Sequence, residues 1–229
     1  DGSSGYELWA HDTSNASTWR VTDINSGAGN SNPGQYMEIL VGDTLYFSAT
    51  DRSSDHELWA HDTSNASTWQ VADINSGWAG SNPGSNLHIL VGDTIYFSAN
   101  DGNSGHELWA HDTSNASTWQ VADIWSGISS SYPGSIMDAI LVGDTLYFSA
   151  TDVSGGEELC AHDTSNASPW EVADIWSGSG SSNPGQYMEI LVGDTLYFSA
   201  TDVSGGYELW AHDTSNASTW QVTDIWSGS

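Results

Sequence analysis

The chain has 229 residues, and its thirty Asp and Glu side chains face only two cationic ones, both Arg, so the formal net charge is −28. A field of this sign and size repels nucleic acid and anionic membrane surfaces, which excludes a nucleic-acid partner. Hydrophobic residues make up 38% of the chain, enough for a folded core. No apolar run approaches the length of a membrane span, so we expect no membrane insertion.

A hexapeptide of the form Glu-Leu-Trp-Ala-His-Asp recurs along the chain at spacings of 50, 50, 51 and 50 residues. Its copies begin at Glu7, Glu57, Glu107, Glu158 and Glu208. Self-similarity at a fixed period is typical of a repeat architecture. We therefore predict a single repeat domain over residues 1–229, with copies at approximately 1–27, 28–77, 78–127, 128–178 and 179–229.

Each copy contains four short segments with the alternation and residue types of β-strands. In the second copy these segments cover residues 37–41, 45–50, 57–61 and 69–74. Gly42-Asp43 between the first two segments is a tight hairpin signal, and no helical pattern appears in the sequence. A unit of four antiparallel strands with this period has the size of a propeller blade. The predicted fold is all-β, a β-propeller of about five four-stranded blades.

The first blade is predicted to be incomplete, because the chain before residue 28 holds only the third and fourth strands of the unit. Three arrangements are compatible with this count: a two-stranded blade, a longer protein of which this chain is a part, or pairing with strands of another molecule. The third arrangement predicts self-association through the incomplete blade and growth of a filament by strand addition.

The turn before the third strand has features of a calcium loop in two copies, with oxygen side chains at alternate positions, a Gly and a later carboxylate. The candidate ligands are Asp101, Asn103, Glu107, Asp152, Ser154 and Glu158. Ca²⁺ is the one cofactor that these residues suggest. A hydrogen-bonded β-turn is the simpler interpretation of the same sequence.

The third strand ends in His-Asp in every copy, and in the fourth copy it carries the only cysteine of the chain. Adjacent strand residues point to opposite faces, so His and Asp cannot act together on one side, and we predict no catalytic residues and no enzyme activity. The histidines are predicted to face solvent at the strand end. Cys160 occupies a position that is Trp in the other copies and is predicted to be a core replacement.

The loop between the third and fourth strands contains Asn-Ala-Ser in every copy, an acceptor sequence for N-linked glycan. The acceptors are Asn15, Asn65, Asn115, Asn166 and Asn216. The same residues also form a good turn, which duplication of the unit would copy. Because every copy keeps the tripeptide while neighbouring positions vary, we predict a glycoprotein with N-linked glycan on each repeat.

Tryptophans stand in the Gly/Ser-rich connectors between copies, where aromatic rings can serve as stacking surfaces. They are Trp78, Trp125, Trp176 and Trp226. These positions predict an alternative function, a multivalent lectin-like propeller that binds cell-surface carbohydrate. Trp9, Trp19 and their counterparts in the other copies are instead predicted to pack between blades.

The third copy contains Asp101-Gly102, Glu107-Leu108-Trp109 and Val121-Ala122-Asp123-Ile124, and the second copy contains the Leu-Tyr-Phe strand Leu45-Tyr46-Phe47. This pattern resembles the ELWxxDGT repeat family of bacterial and archaeal surface proteins, and the resemblance covers all copies. It implies a propeller in a secreted or cell-surface protein and no common activity. The chain departs from the family at residues 12–15, where Asp-Thr-Ser-Asn replaces Asp-Gly-Thr.

The sequence therefore favours a non-enzymatic structural or adhesive repeat module, extracellular or at the cell surface, with an acidic and hydrated exterior. The lectin-like propeller remains the alternative from a different functional class.

Overall fold

The structure is a computed structural model and describes residues 5–51, 55–165 and 168–225. These residues form eighteen β-strands and no helix, which confirms the all-β prediction. Nothing in the described segments has the helical length and apolar character that a membrane crossing requires.

The strands associate in chain order into five sheets, and neighbouring strands are antiparallel. The first sheet contains β1 (Trp9–Asp12) and β2 (Ser17–Arg20). The second contains β3 (Glu38–Val41), β4 (Thr44–Thr50), β5 (His56–Asp62) and β6 (Ser67–Ala72). The third contains β7 (His88–Val91), β8 (Thr94–Asn100), β9 (His106–Asp112) and β10 (Ser117–Ala122). The fourth contains β11 (Ile140–Val142), β12 (Thr145–Thr151), β13 (Glu157–Asp163) and β14 (Trp170–Ala173). The fifth contains β15 (Glu189–Val192), β16 (Thr195–Thr201), β17 (Tyr207–Asp213) and β18 (Ser218–Thr223).

The predicted strands of the second copy agree with β3 to β6 to within two residues at each end. The Gly42-Asp43 hairpin is confirmed, because Val41 pairs with Thr44 and Gly42 has a φ of 58°, which glycine adopts without a Cβ penalty. The fourth strand ends at Ala72, two residues earlier than predicted. Beyond Ala72 the chain leaves the sheet, and the backbone N–H of Ile74 donates a hydrogen bond to the Glu57 side chain instead of to a neighbouring strand.

Two sheets differ from the common pattern. The first sheet has two strands where each of the others has four. In the fourth sheet, β14 begins at Trp170 and is two residues shorter than β6 or β18. Pro169 precedes it, and proline has no backbone N–H to donate to a sheet ladder.

The described residues form two compact units. The first comprises the residues up to Gly105 together with Trp109–Trp119. The second comprises His106–Leu108 together with the residues from Gln120 onward. Within each unit, consecutive sheets pack through buried apolar side chains. The core of the first unit contains Met37, Tyr46, Leu58, Ala60, Ile95, Phe97 and Ala99. The core of the second unit contains Met137, Tyr147, Leu159, Ala161, Leu196, Phe198 and Ala200.

The second strand of the unit is buried on both faces, as expected for a sheet with neighbours on each side. In β4, Tyr46 is 6% exposed and Phe47, which points to the opposite face, is 1% exposed. Among the third-strand tryptophans, Trp109 and Trp210 pack against the two cores, as predicted, whereas Trp9 of the two-stranded sheet is 42% exposed. The fourth-strand tryptophans were predicted to pack between blades, but Trp69 and Trp119 are 40% exposed because this strand lies at the edge of its sheet.

Candidate functional site

The loop that joins β5 to β6 places Asn65 in a four-residue hairpin formed by residues 63–66. Asp62 organises this loop: its Oδ1 accepts a hydrogen bond from the Ser64 N–H at 2.8 Å, and its Oδ2 accepts one from Asn65 Nδ2 at 2.6 Å. Asn65 Oδ1 in turn accepts the Ser67 N–H at 2.9 Å. Side-chain to backbone bonds of this kind stabilise turns. The acceptor amide is therefore held in a defined orientation on the loop.

The same hairpin recurs in the other described copies. The Asn Nδ2 donates to the aspartate three residues earlier at 2.6 to 2.8 Å in Asn15, Asn115 and Asn216. These three side chains and that of Asn65 are exposed, whereas Asn166 lies outside the described residues. Hydrogen bonds, first of all from the hydroxyl of the serine two residues on, hold the pKa of the loop aspartates below the usual value. The loops therefore stay anionic.

The alanine of the acceptor tripeptide adopts a left-handed conformation in each described hairpin. The φ angles are 58°, 59°, 60° and 57° at Ala16, Ala66, Ala116 and Ala217. In this region the Cβ of an L-residue crowds the following carbonyl oxygen, which costs roughly 1–2 kcal/mol. The four-residue loop, and not the preference of alanine, therefore sets this conformation.

Ala66→Gly is expected to stabilise the protein by about 0.5–1 kcal/mol, because glycine removes the Cβ penalty and the loop keeps an acceptor sequence, Asn-Gly-Ser. Thermal unfolding followed by circular dichroism should show a Tm higher by roughly 1–4 °C. Ala60→Gly is the matched control, since Ala60 is fully buried in β5 and the same change there should lower the Tm. A lower Tm for Ala66→Gly would contradict the strain assigned to this loop.

The connector tryptophans have different environments. Trp78 is 80% exposed, whereas Trp125 and Trp176 are half-buried. The indole of Trp176 lies directly against Gly180, where no Cβ would fit. Trp226 lies outside the described residues. Of the tryptophans predicted to stack on carbohydrate, only Trp78 among those described has a largely open ring.

The predicted calcium ligands serve other contacts. Asp152 Oδ1 accepts hydrogen bonds from the N–H and Oγ of Ser154 at 2.8 and 2.6 Å. Asp101 Oδ1 likewise accepts the N–H of Asn103 at 2.8 Å. These are the contacts of a hydrogen-bonded turn. Glu107 and Glu158 are buried and bind the groups described next. Within the described part of the chain, no three acidic, His or Cys side chains lie close enough together to hold a metal ion.

A contact that the sequence analysis missed involves the first residue of each hexapeptide. Glu57 is 1% exposed, and its Oε2 accepts hydrogen bonds from the Ile74 N–H at 2.8 Å and from Ser81 Oγ at 2.6 Å. Its Oε1 accepts the Ser81 N–H at 2.8 Å. Glu57 and Ile74 belong to the second copy and Ser81 to the third. We name this set of Glu, Ile and Ser the glutamate latch, because it joins two successive copies.

The glutamate latch is a repeated feature. It also forms in Glu107–Ile124–Ser131 and Glu158–Ile175–Ser182. In Glu7–Ile24–Ser31 the Ile24 N–H and the Ser31 hydroxyl bond to Glu7 Oε2, but the Ser31 N–H donates to the Tyr6 carbonyl instead. Burial disfavours the charged carboxylate and raises the pKa of Glu57, Glu107 and Glu158 to about 7, although the hydrogen bonds to Ser and the backbone act in the opposite direction. The sequence carried one signal for the latch: Glu opens every hexapeptide, and Ser stands two residues before each connector Pro.

The histidines of the hexapeptide were predicted to face solvent, and this is wrong for four copies. His61, His111, His162 and His212 are buried. His61 Nδ1 lies 2.8 Å from Thr68 Oγ1 on the next strand, and the ring of His111 packs on Tyr46 of the preceding sheet at a centroid distance of 5.3 Å. The adjacent sheet therefore covers the strand end. Burial lowers the pKa of His111, His162 and His212, so the neutral ring is favoured.

No protein-family model and no curated protein matches the chain. The chain is similar to several solved structures. For dipeptidyl peptidase 4 from Porphyromonas gingivalis the TM-score is 0.62 and the identity 8%, over 95% of this chain and 29% of that one. For a puromycin hydrolase the values are 0.56 and 13%, over 94% and 32%. For a puromycin-hydrolyzing peptidase from Mycobacterium tuberculosis they are 0.53 and 10%, over 92% and 30%.

The chain thus spans about a third of the length of these peptidases. At such low identity the likeness concerns the fold alone. It supports the β-propeller interpretation of the repeated four-stranded sheets, and it implies no enzyme function for this chain.

Proposed function

We propose that the chain is a non-enzymatic structural or adhesive module of β-propeller type, extracellular or at the cell surface, that carries one N-linked glycan on each repeat. The glutamate latches and the packed sheets hold the module together, and the acceptor hairpins present the glycan to solvent. A negative surface with few cations favours a hydrated, weakly associating exterior.

The observation that supports this proposal most is the common geometry of the acceptor loops. The asparagines of four copies are exposed, and each donates one N–H of its amide to the aspartate three residues earlier. An asparagine amide has two N–H groups, so the second is available for the bond to sugar. A glycan attached there would leave the bond to aspartate in place.

The proposal is tested by mass spectrometry of native material and of protein made in a host that attaches N-linked glycan. Ser67→Ala should lower the intact mass by one glycan, because it removes the hydroxyl residue that the acceptor sequence requires. Ser67→Thr is the matched control and should keep the glycan. In both variants the loop should fold as before, since the backbone N–H of residue 67 makes the 2.9 Å bond to Asn65. Bare asparagines in native material would overturn the proposal.

The carbohydrate-binding alternative has less support, because the connector tryptophans do not share an open environment. Self-association into a filament is the further part of the hypothesis. It rests on the first sheet, whose two strands could be extended by strands of another molecule.

A further inference from the structure

The fourth copy departs from the others at three positions that surround a single cavity. Cys160 stands where the other copies have Trp, Pro169 where they have Thr, and Glu171 where they have Gln or Arg. All three residues line a cavity of about 290 Å³. Cys160 and Glu171 are cross-strand partners on β13 and β14, so the departures are adjacent in space as well.

The cavity is explained by the loss of an indole ring. In the second sheet the equivalent cross-strand pair is Trp59 with Gln70, and in the fifth sheet Trp210 packs against the hydrophobic core. Cys160 is 2% exposed and too small to fill the same space. Val153 and Trp170 provide further apolar wall. Apolar cavities of about 150 Å³ already accept a benzene ring, so this one has room for a bicyclic ring with a short side chain.

The charge on the cavity wall is negative and has no cation to balance it. Glu171 and Asp152 both line the cavity, and the charge of Asp152 is close enough to act on the Glu171 carboxyl. Burial, together with the charges of Asp152 and Asp174, raises the pKa of Glu171. Neither arginine of the chain belongs to the fourth copy. A cationic group bound here would relieve the repulsion between the carboxylates, and the Trp170 ring would favour it as well.

We propose that this cavity binds an aromatic ammonium ion, with its ring in the space left by the missing indole and its ammonium group at Glu171 and Asp152. The ring supplies the apolar contacts that Trp makes in the other copies. The ammonium group supplies the positive charge that the wall lacks.

Tryptamine, which combines an indole ring with an ammonium group, is the probe, and isothermal titration calorimetry at pH 7 with the full chain is the measurement. Wild-type protein should bind one tryptamine. Cys160→Trp restores the residue of the other copies, fills the cavity and should abolish this binding. Glu171→Gln likewise restores a residue of the other copies and should weaken tryptamine roughly tenfold, because a charge-assisted contact is lost.

Three further probes separate the contributions of ring and charge. Indole should bind more weakly than tryptamine and with the same affinity to wild type and Glu171→Gln. Butylammonium and indole-3-propionate should not bind, because one lacks the ring and the other has the wrong charge. Unchanged tryptamine affinity in Cys160→Trp, or equal affinity for butylammonium, would show non-specific attraction to an acidic surface and overturn the proposal. If Cys160→Trp does not fold, as judged by circular dichroism, Glu171→Gln with tryptamine and indole decides the question.

Discussion

Glu57→Ala is expected to lower the free energy of unfolding by about 3–5 kcal/mol, because it leaves the buried N–H groups of Ile74 and Ser81 without an acceptor. Each unsatisfied buried donor costs about 1–3 kcal/mol. The loss should appear as a Tm lower by roughly 10 °C and as a lower urea midpoint.

Glu38→Ala is the matched control for this experiment. It removes the same charge from a strand of the same sheet, but Glu38 is exposed, so the change in stability should stay within about 0.5 kcal/mol. Ser81→Ala should give an intermediate loss of about 1 kcal/mol, since it removes the hydroxyl and keeps the backbone N–H that binds Glu57 Oε1. Equal stability of Glu57→Ala and Glu38→Ala would show that the glutamate latch does not hold the copies together.

The contribution of the latch glutamates to stability is expected to fall as the pH rises from 6.5 to 8. The pKa of Glu57, Glu107 and Glu158 is raised from 4.5 to about 7 in the folded state, so each of these groups binds a proton more tightly when folded. Their stabilising contribution is fully present below pH 4.5 and is lost as the pH passes through about 7. Each group that is protonated only in the folded state changes the stability by about 1.4 kcal/mol per pH unit.

The buried histidines act in the opposite direction at lower pH. Burial lowers the pKa of His56, His106, His111, His162 and His212 below 6.5, so their contribution is present above pH 6.5 and is lost as the pH falls further. Between pH 4.5 and 6.5 the contributions of the glutamates and of the histidines to stability therefore change in opposite directions. Above pH 6.5 the histidine contribution fades as the rings of the unfolded chain lose their protons, and it cancels when the wild type is compared with a variant that keeps every histidine.

Glu57→Gln tests the assignment of this slope, with urea unfolding measured at half-unit steps from pH 6.5 to 8. The variant should be less stable at pH 6.5 by about 1–2 kcal/mol, because both carboxylate oxygens accept a backbone N–H and the amide nitrogen must face one of them. Its stability should also depend less steeply on pH than that of the wild type. An unchanged slope would exclude Glu57 as one of the titrating groups.

The strands and their hairpins could be predicted because their signals are local. Alternation in Leu45 to Thr50 and the Gly42-Asp43 turn are properties of neighbouring residues, and the structure places them as expected. The turns of the acceptor loops could be predicted for the same reason, since Asp62, Ser64 and Asn65 form hydrogen bonds with one another within the loop.

The latch, the buried histidines and the cavity depend on groups that are far apart in the sequence. Glu57 and Ser81 are 24 residues apart, and the ring of His111 is covered by Tyr46 of another sheet. Strand periodicity shows which residues share a face, but it does not show what covers that face. The cavity at Cys160 could not be predicted from the sequence either. When a small residue replaces Trp, larger neighbours can fill the space that the indole occupied, or the space can remain as a void.

Glu57 lies in one copy and Ser81 in the next. The Glu of a copy therefore accepts hydrogen bonds from the Ser of the following copy, and its own Ser donates to the Glu of the preceding copy. A duplication of one complete period at the DNA level would therefore insert a segment whose two ends already fit the existing neighbours. No compensating substitution would be needed at either junction. The fold offers a direct route by which such arrays grow or shrink during evolution, one period at a time.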